Sequence, residues 1–517
     1  MHGVTVVDLG SQYAHLIARR VRELGVYSEL VPHDAENLLE KLEHSCAVIL
    51  SGGPASVCEP NAPRISENVL KKLIEMKKPL LGICYGHQFI AYLTGGAVAR
   101  GRAGEYGIAE LEVRVEDKLF EETPRRQKVW MSHRDKVVEL PQGIVLASTS
   151  YSEIAAYRLT DAPVYGVQFH PEVRHTEYGM KLLENFLFKV ARCPRNWSMK
   201  NVAERMIREI AEKYQGGNVL MAASGGVDST TSAVIIARAV GYDKLHLVVV
   251  DTGLLRENEA ERVFKTLKKL GFKHVHLVDA SKLFLQRLKG VTDPEQKRRI
   301  IADTFIEVFE EYAKKLEKQF GSFTYLGQGT IYPDRIESGR AGRSSAKIKS
   351  HHNVSMSRKL NLKLLEPLAD LYKDEVRRVA LHLGIPKELV ARHPFPGPGL
   401  AVRILGEVNE EKLKILRKCD VILEEEVRQA NIYEELWQAF PVLLPVKAVG
   451  VMGDHRTYGY VVAIRAVKSE DAMTAEFAKL DWSLLEKIAV RIVNEVEEVT
   501  RVVYDITNKP PATIEFE

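Results

Sequence analysis

Short apolar runs that end in turn residues recur through the first 190 residues, with amphipathic stretches between them. VTVVDLG (4–10) reads as a buried strand, and Leu16, Ile17, Val21 and Leu24 follow at helical spacing. CAVILSGG (46–53) and PLLGIC (79–84) repeat the strand-then-turn form. Strands that are apolar on both faces and joined by helices predict a parallel sheet covered on both sides. From about Gly107 the pattern shifts to short strands such as IAELEVRV (108–115) and VYGVQF (164–169), which predict added mixed or antiparallel strands. A helix over 177–190 is expected to close this region.

A second α/β pattern follows CPRNWS (193–198), which reads as a linker. VLMAASGG (219–226), KLHLVVVDTG (244–253) and HVHLVDA (274–280) are strand-then-turn segments, with helices predicted over 230–240 and 257–270. A long charged helix is predicted over 293–319. The stretch 327–353 is rich in Gly, Ser and charge and reads as a long functional loop. RHPFPGPGLAVRILGE (392–407) is dense in proline and glycine and suggests a second boundary. The remainder mixes helices over 409–430 and 483–498 with strands near 442–449, 459–467 and 501–506. These patterns divide the chain into 1–192, 193–391 and 392–517: two α/β domains, the second with a doubly wound parallel sheet, and a small α+β domain.

Composition narrows the class. At roughly 150 residues per domain, 517 residues agree with three domains. Lys and Arg total 73 against 69 Asp and Glu, a net charge of +4. That balance argues against an obligate nucleic-acid binder, which shows a strongly basic face. Hydrophobic residues at 45% and charged residues at 27% match an ordinary soluble globular protein. No apolar run is long enough to predict a membrane span, and the opening MHGVTVVDLG shows no secretory pattern. Cys46, Cys58, Cys84, Cys193 and Cys419 are sparse and lack CxxC spacing, so neither a disulfide framework nor a zinc site is expected. A reducing, cytoplasmic compartment is the expectation.

Cys84 is the centre of G-x-C-x-G in PLLGICYGHQ. Gly82 and Gly86 permit a sharp strand-to-helix turn, the sulfur counterpart of a nucleophile elbow. The helix N-terminus supplies N–H groups and a positive dipole that favours thiolate. The Tyr85 N–H is placed to face an oxyanion, and Gly53, in SGGP (51–54), could add a second donor. A thiolate needs a base and the base an orienter. His170 and Glu172, in VYGVQFHPE, fall on one side of an extended segment. GICYGHQ with a downstream FHPE closely resembles the class I glutamine amidotransferase domain. The resemblance implies that Cys84 attacks the glutamine amide, that His170 shuttles the proton and that Glu172 orients His170. It also suggests a position near bound glutamine for Gln88.

VLMAASGGVDST sets Ser224, Gly225, Gly226, Val227, Asp228, Ser229 and Thr230 between a strand and a helix. Paired glycines let N–H groups approach phosphate, and the helix adds its dipole. Asp228 could hold Mg²⁺, which takes a carboxylate together with phosphate oxygens. No lysine follows the glycines, so this is not the loop of γ-phosphate transfer. SGGVDS after an apolar strand resembles the ATP pyrophosphatase family. Asp251, closing VVVDTG, is either a nucleotide contact or a turn former.

GQGTIYPDRIES, KSHHN, RHPFPGPGL, VGVMGDHRTYGYV and KPPATIEFE together resemble the glutamine-hydrolysing GMP synthetase family over essentially the whole chain. The resemblance implies ATP- and Mg²⁺-dependent amination of XMP through an adenylyl intermediate. It implies XMP contacts from Arg298, Asp454, Lys509 and Glu515, and a homodimer formed through the last domain. His351 and His352 read as substrate or phosphate contacts rather than metal ligands, since no third ligand of fitting spacing is near.

Overall fold

The computed structural model describes residues 3–332, 334, 362–452, 454–469 and 474–517. His351 and His352 lie outside the described residues. The packing divides the chain into two units, Met1–Asn201 and Val202–Glu517.

The first unit runs β1 (Val4–Asp8), α1 (Ala14–Glu23), β2 (Ser28–Pro32), α2 (Leu38–His44), β3 (Ala47–Leu50), α3 (Glu67–Glu75), β4 (Leu80–Ile83) and α4 (Tyr85–Leu93). It continues with β5 (Ala97–Val113), β6 (Arg126–Glu139), β7 (Gly143–Ser148), β8 (Ala156–Leu159), β9 (Val164–Val167) and α5 (Gly179–Asn185). They build a nine-stranded sheet in the order β2-β1-β3-β4-β9-β8-β7-β5-β6. The first five strands of that order are parallel, and β8, β7, β5 and β6 extend them antiparallel. The uninterrupted apolar strands explain this arrangement: β1, β3, β4 and β9 bury side chains on both faces, in two separate clusters.

The segment 193–198 is not a free linker. Asn196 Oδ1 accepts from Tyr27 N at 2.8 Å, Trp197 N donates to Gly25 O at 2.9 Å, and the Arg22 guanidinium lies 4.8 Å from the Trp197 ring. Cys193 forms a disulfide with Cys46 at the foot of β3, contrary to the expectation of unpaired cysteines. Spacing could not reveal the pair, since 147 residues separate its members.

The second unit opens with α6 (Met199–Lys213), whose first residues overlap the division, then β10 (Asn218–Ala222), α7 (Val227–Val240), β11 (Leu245–Asp251), α8 (Glu259–Lys269) and β12 (His274–Asp279). Next come α9 (Ser281–Leu288), α10 (Pro294–Phe320), β13 (Phe323–Gly327), β14 (Lys363–Leu365), α11 (Lys373–His382) and α12 (Lys387–Val390). The first sheet of this unit is all parallel, ordered β12-β11-β10-β13-β14. The chain reverses its direction of travel at β10, so the end of β10 is the topological switch point. The long helix begins where its sequence says: Asp293 accepts from Gln296 N at 2.8 Å, and Pro294 fills a position whose N–H would go unused.

The chain ends with α13 (Glu410–Gln429), β15 (Gln438–Met452), β16 (His455–Lys468), β17 (Glu476–Phe477), α14 (Trp482–Glu495) and β18 (Val499–Tyr504). β15 and β16 form a long antiparallel hairpin, and β18 pairs parallel with β16. The division expected at 392 is not a break in the packing. One core joins Leu220 and Phe309 to Leu400, Leu416, Ile464 and Ile492.

Cys193→Ser is expected to destabilise the first unit by about 2–4 kcal/mol, the usual worth of a disulfide closing a long loop. Thermal unfolding measures it, and dithiothreitol should lower the Tm of the wild type but not of the variant. A wild-type Tm indifferent to reductant would show that the pair carries no stability.

Candidate active sites

In the first unit Cys84 occupies the turn between β4 and α4, with φ 52° and ψ −102°. A non-glycine residue at positive φ is strained, and here the turn holds the thiol above the C-terminal end of β4. The flanking glycines serve close approach. A β-carbon on Gly82 would lie 2.5 Å from Gly86 backbone, and one on Gly86 would lie 2.5 Å from Leu50 O. Tyr85 is the first residue of α4, so its N–H has no partner within the helix.

His170 follows β9, and its Nδ1 meets Glu172 Oε1 at 2.7 Å. A carboxylate only accepts, so Nδ1 carries the proton and orients the ring. Both side chains are buried, and His170 also hydrogen-bonds Cys84. Burial works to lower the His170 pKa, but the charges of Glu172 and Cys84 outweigh it and hold the pKa well above the ordinary histidine value. The structure therefore brings Cys84, His170 and Glu172 together at the C-terminal ends of the adjacent central strands β4 and β9. His170 is fixed further by its N–H to Trp130 O at 3.0 Å and by Thr176 Oγ1 donating to its carbonyl at 2.6 Å.

The loop after β3 brings Gly52 against the pair. A β-carbon there would stand 3.2 Å from His170 Cε1 and 3.6 Å from Cys84 Cβ. Gly53 packs on Leu9 O and the Tyr85 ring. Gln88 Nε2 donates to Asp135 O at 2.6 Å and to Gln168 Oε1 at 3.1 Å. Gln168 in turn points its Nε2 at Cys84 Sγ, 3.7 Å away. Gln168 did not stand out in the sequence, yet a signal was there: it lies two residues before His170, at the spacing that sets Glu172 two residues after it.

In the second unit the loop Ala223–Gly226 links β10 to α7 at the switch point. Gly225 has φ 72°, which the turn requires. Ser224 Oγ and Ser229 Oγ meet at 3.1 Å across the loop mouth, and Ser229 Oγ also donates to Gly226 O. Gly226 caps α7, and Val227 and Asp228 lie in its first turn. Thr230 is buried, and its Oγ1 has no hydrogen-bond partner among the described residues.

Asp228 Oδ2 is held by Lys373, the first residue of α11. Asp228 Oδ1 is buried without a hydrogen-bond partner among the described residues. The sequence reading missed Lys373, because no motif spacing joins it to the loop. The Asp251 carboxylate accepts from Gly253 N at 2.9 Å, so the structure gives it the turn-forming part.

Of the residues linked with XMP, the structure brings Arg298 and the tail together. Arg298, in the first turns of α10, donates to Glu517 O. Glu515 lies beside it in the tail, its carboxylate held by Arg403 and Gln438. Lys509 pairs with Ala475 through both backbone groups. Asp454 stands apart, exposed at the hairpin tip, eleven residues along the chain from the Arg465 that holds the tail.

Comparison with known proteins assigns the parts. Residues 5–190 match the model of class-I glutamine amidotransferases, 199–302 that of NAD synthase, and 425–516 that of the GMP synthase C terminal domain. The glutamine-hydrolyzing GMP synthase of Aquifex aeolicus is 52% identical over 517 residues and 99% of each chain. That of Thermosipho melanesiensis is 52% identical over 520 residues and 100% of each chain. That of Thermotoga maritima is 52% identical over 515 residues, 99% of this chain and 100% of its own. At such identity over the whole length, the chain belongs to the glutamine-hydrolysing GMP synthase family.

Proposed function

We propose that the chain converts XMP to GMP, using ATP and the amide nitrogen of glutamine. One observation carries the reading: a buried Cys–His–Glu triad and an SGGVDS loop at a switch point occur in one chain that matches GMP synthases from end to end. In the first unit Cys84 thiolate attacks the glutamine side-chain amide, and His170 gives its proton to the departing ammonia. Water then cleaves the thioester and releases glutamate. We assign the Tyr85 and Gly53 N–H groups to the oxyanion.

In the second unit the oxygen at position 2 of XMP attacks the α-phosphorus of ATP, and pyrophosphate leaves. Ammonia then displaces AMP to give GMP. The N–H groups of Gly225 and Gly226 and the hydroxyls of Ser224, Ser229 and Thr230 hold the pyrophosphate. Asp228 suits Mg²⁺: one carboxylate oxygen is unclaimed among the described residues, and Mg²⁺ takes such an oxygen together with phosphates. Mg²⁺ would supply charge neutralisation of the polyphosphate. Lys373, on the other carboxylate oxygen, adds a cation at the same mouth. Arg298, Lys509 and Glu515 bind XMP.

A homodimer through the C-terminal sheet is supported by its exposed apolar side chains, Val449, Val451, Tyr458 and Val503, and by Ile506 just beyond it. We assign Asp454 to XMP across such an interface, because within one chain it stands apart from Arg298 and the tail. No helix among the described residues is long and apolar enough to cross a membrane. We place the enzyme in the cytoplasm, where its nucleotide substrates are held; the cysteines no longer argue for that compartment, since Cys46 and Cys193 are paired.

These readings are open to direct test. Wild type with ATP, Mg²⁺ and XMP should form GMP and AMP in equal amounts with either glutamine or ammonium. Cys84→Ala should lose only the glutamine reaction, and Asp228→Ala should lose AMP formation with both; AMP made by Asp228→Ala would overturn its role. Glu172→Gln should move the alkaline limb of the glutaminase pH profile to lower pH. Without the Glu172 charge His170 gives up its proton earlier, and the thiolate–imidazolium pair goes with it. A limb that stays in place would mean Glu172 does not set the charge of His170. Light scattering at micromolar concentration should return twice the mass of one 58.2 kDa chain, and a monomer would end the dimer reading.

A further inference from the structure

The chain after β18 has little regular structure of its own, yet fully buried cations hold it. Arg465 donates to Thr507 O and Thr513 O. Arg403 donates from Nε to Glu515 Oε2 at 3.0 Å and from Nη2 to Oε1 at 2.9 Å, a two-pronged pair. Gln438 Nε2 adds a bond to Oε1 at 3.0 Å. The Arg403 guanidinium lies 4.1 Å from the Phe440 ring and 5.2 Å from that of Phe395. Its Nη1 is 4.0 Å from Asp420, which also faces Arg256 Nε at 3.2 Å. Charge therefore alternates along Glu515, Arg403, Asp420 and Arg256. Arg256 belongs to the loop that follows β11 in the ATP half.

Such a chain is a poor device for stability. Desolvation consumes most of what buried ion pairs return, and apolar side chains would serve as well. It is a good device for direction, because a two-pronged pair fixes the plane of a carboxylate. A carboxylate has roughly four acceptor positions, and three here are filled, which leaves one on Oε2.

We infer that Arg403 is a positioning residue for XMP: it sets the plane of the Glu515 carboxylate so that the open Oε2 position accepts a hydrogen bond from a ribose hydroxyl or ring N–H of the nucleotide. The inference rests on the reading that Glu515 contacts XMP. It explains why a carboxylate on an irregular tail is aimed by a cation buried in the core.

The test is a cycle of Arg403→Lys, Glu515→Gln and the double variant in the full chain, with ammonium as nitrogen source. Lysine keeps the charge but cannot hold a carboxylate by two prongs. Each single change is expected to raise the KM for XMP roughly tenfold, the worth of one charge-assisted hydrogen bond. The double variant should be no worse than Glu515→Gln alone. The KM for ATP and the kcat at saturating XMP should stay within about twofold, since neither group touches the reacting atoms. Should the lysine variant lose thermal stability, Arg403→Gln, which keeps a donor without the charge, runs the same cycle. If Glu515→Gln raises the KM and the Arg403 variants do not, the inference fails while the Glu515 reading stands. Multiplied effects in the double variant would mean Arg403 acts apart from Glu515, which also overturns it. An unchanged KM in Glu515→Gln removes the reading and the inference together.

Discussion

A β-carbon on Gly82 would lie 2.5 Å from the Gly86 backbone, and one on Gly86 would lie 2.5 Å from Leu50 O. Contacts this short admit only glycine, and they let α4 start directly over the end of β4. Everything at the glutaminase centre follows from that approach. Cys84 takes a strained conformation because its neighbours leave no other path, and the strain holds its thiol at the C-terminal end of the sheet, where β3 and β9 also end. The second unit repeats the constraint. A β-carbon on Gly225 would meet Val263 at 2.2 Å, and one on Gly329 would lie 3.1 Å from Ser229 N. Backbone without side chains is what lets two loops crowd one helix N-terminus, where phosphate is best received.

Electrostatics then completes what close approach begins. Glu172 is buried, and so is His170; alone, either charge would be expensive there. Paired, Glu172 and His170 offset that cost, and the neighbouring Glu172 and Cys84 raise the proton affinity of His170 against its burial. At the other centre Asp228 and Lys373 are both partly exposed and form a simple pair. The difference suits the chemistry. A thiolate and its base need a dry pocket and a fixed orientation, whereas a polyphosphate arrives with its own charge and its own cation.

What the sequence disclosed was local. The elbow, the H-x-E pair and SGGVDS each place their chemistry within a few residues of a strand end, so period and turn residues sufficed to find them. Gln168 lies only two residues from His170, but an amide carries no chemical signature of its own. Lys373, Arg403 and the Cys46–Cys193 bond meet their partners across 145, 112 and 147 residues. No periodicity encodes such distances; only the sheet order, which the sequence does not state, brings them together. The hairpin β15–β16 is longer than its apolar core suggested, since its outer half is exposed on one face.

The segment 392–407 shows how composition can mislead. Proline and glycine are common in linkers, but they also fit where a chain must thread a core without regular hydrogen bonding. Gly399, at φ 66°, would put a β-carbon 2.3 Å from Leu254 O, and Leu400 N donates to that same oxygen at 2.7 Å. Lys297, fully buried, caps Ala401 O and Ile404 O while also pairing with Glu517. The segment is thus fastened to the loop after β11 on one side and to the tail on the other. Its prolines and glycines build a joint rather than a hinge. A joint is what the chemistry asks for, because the oxygen to be adenylylated and the phosphorus that receives it must be held in one frame.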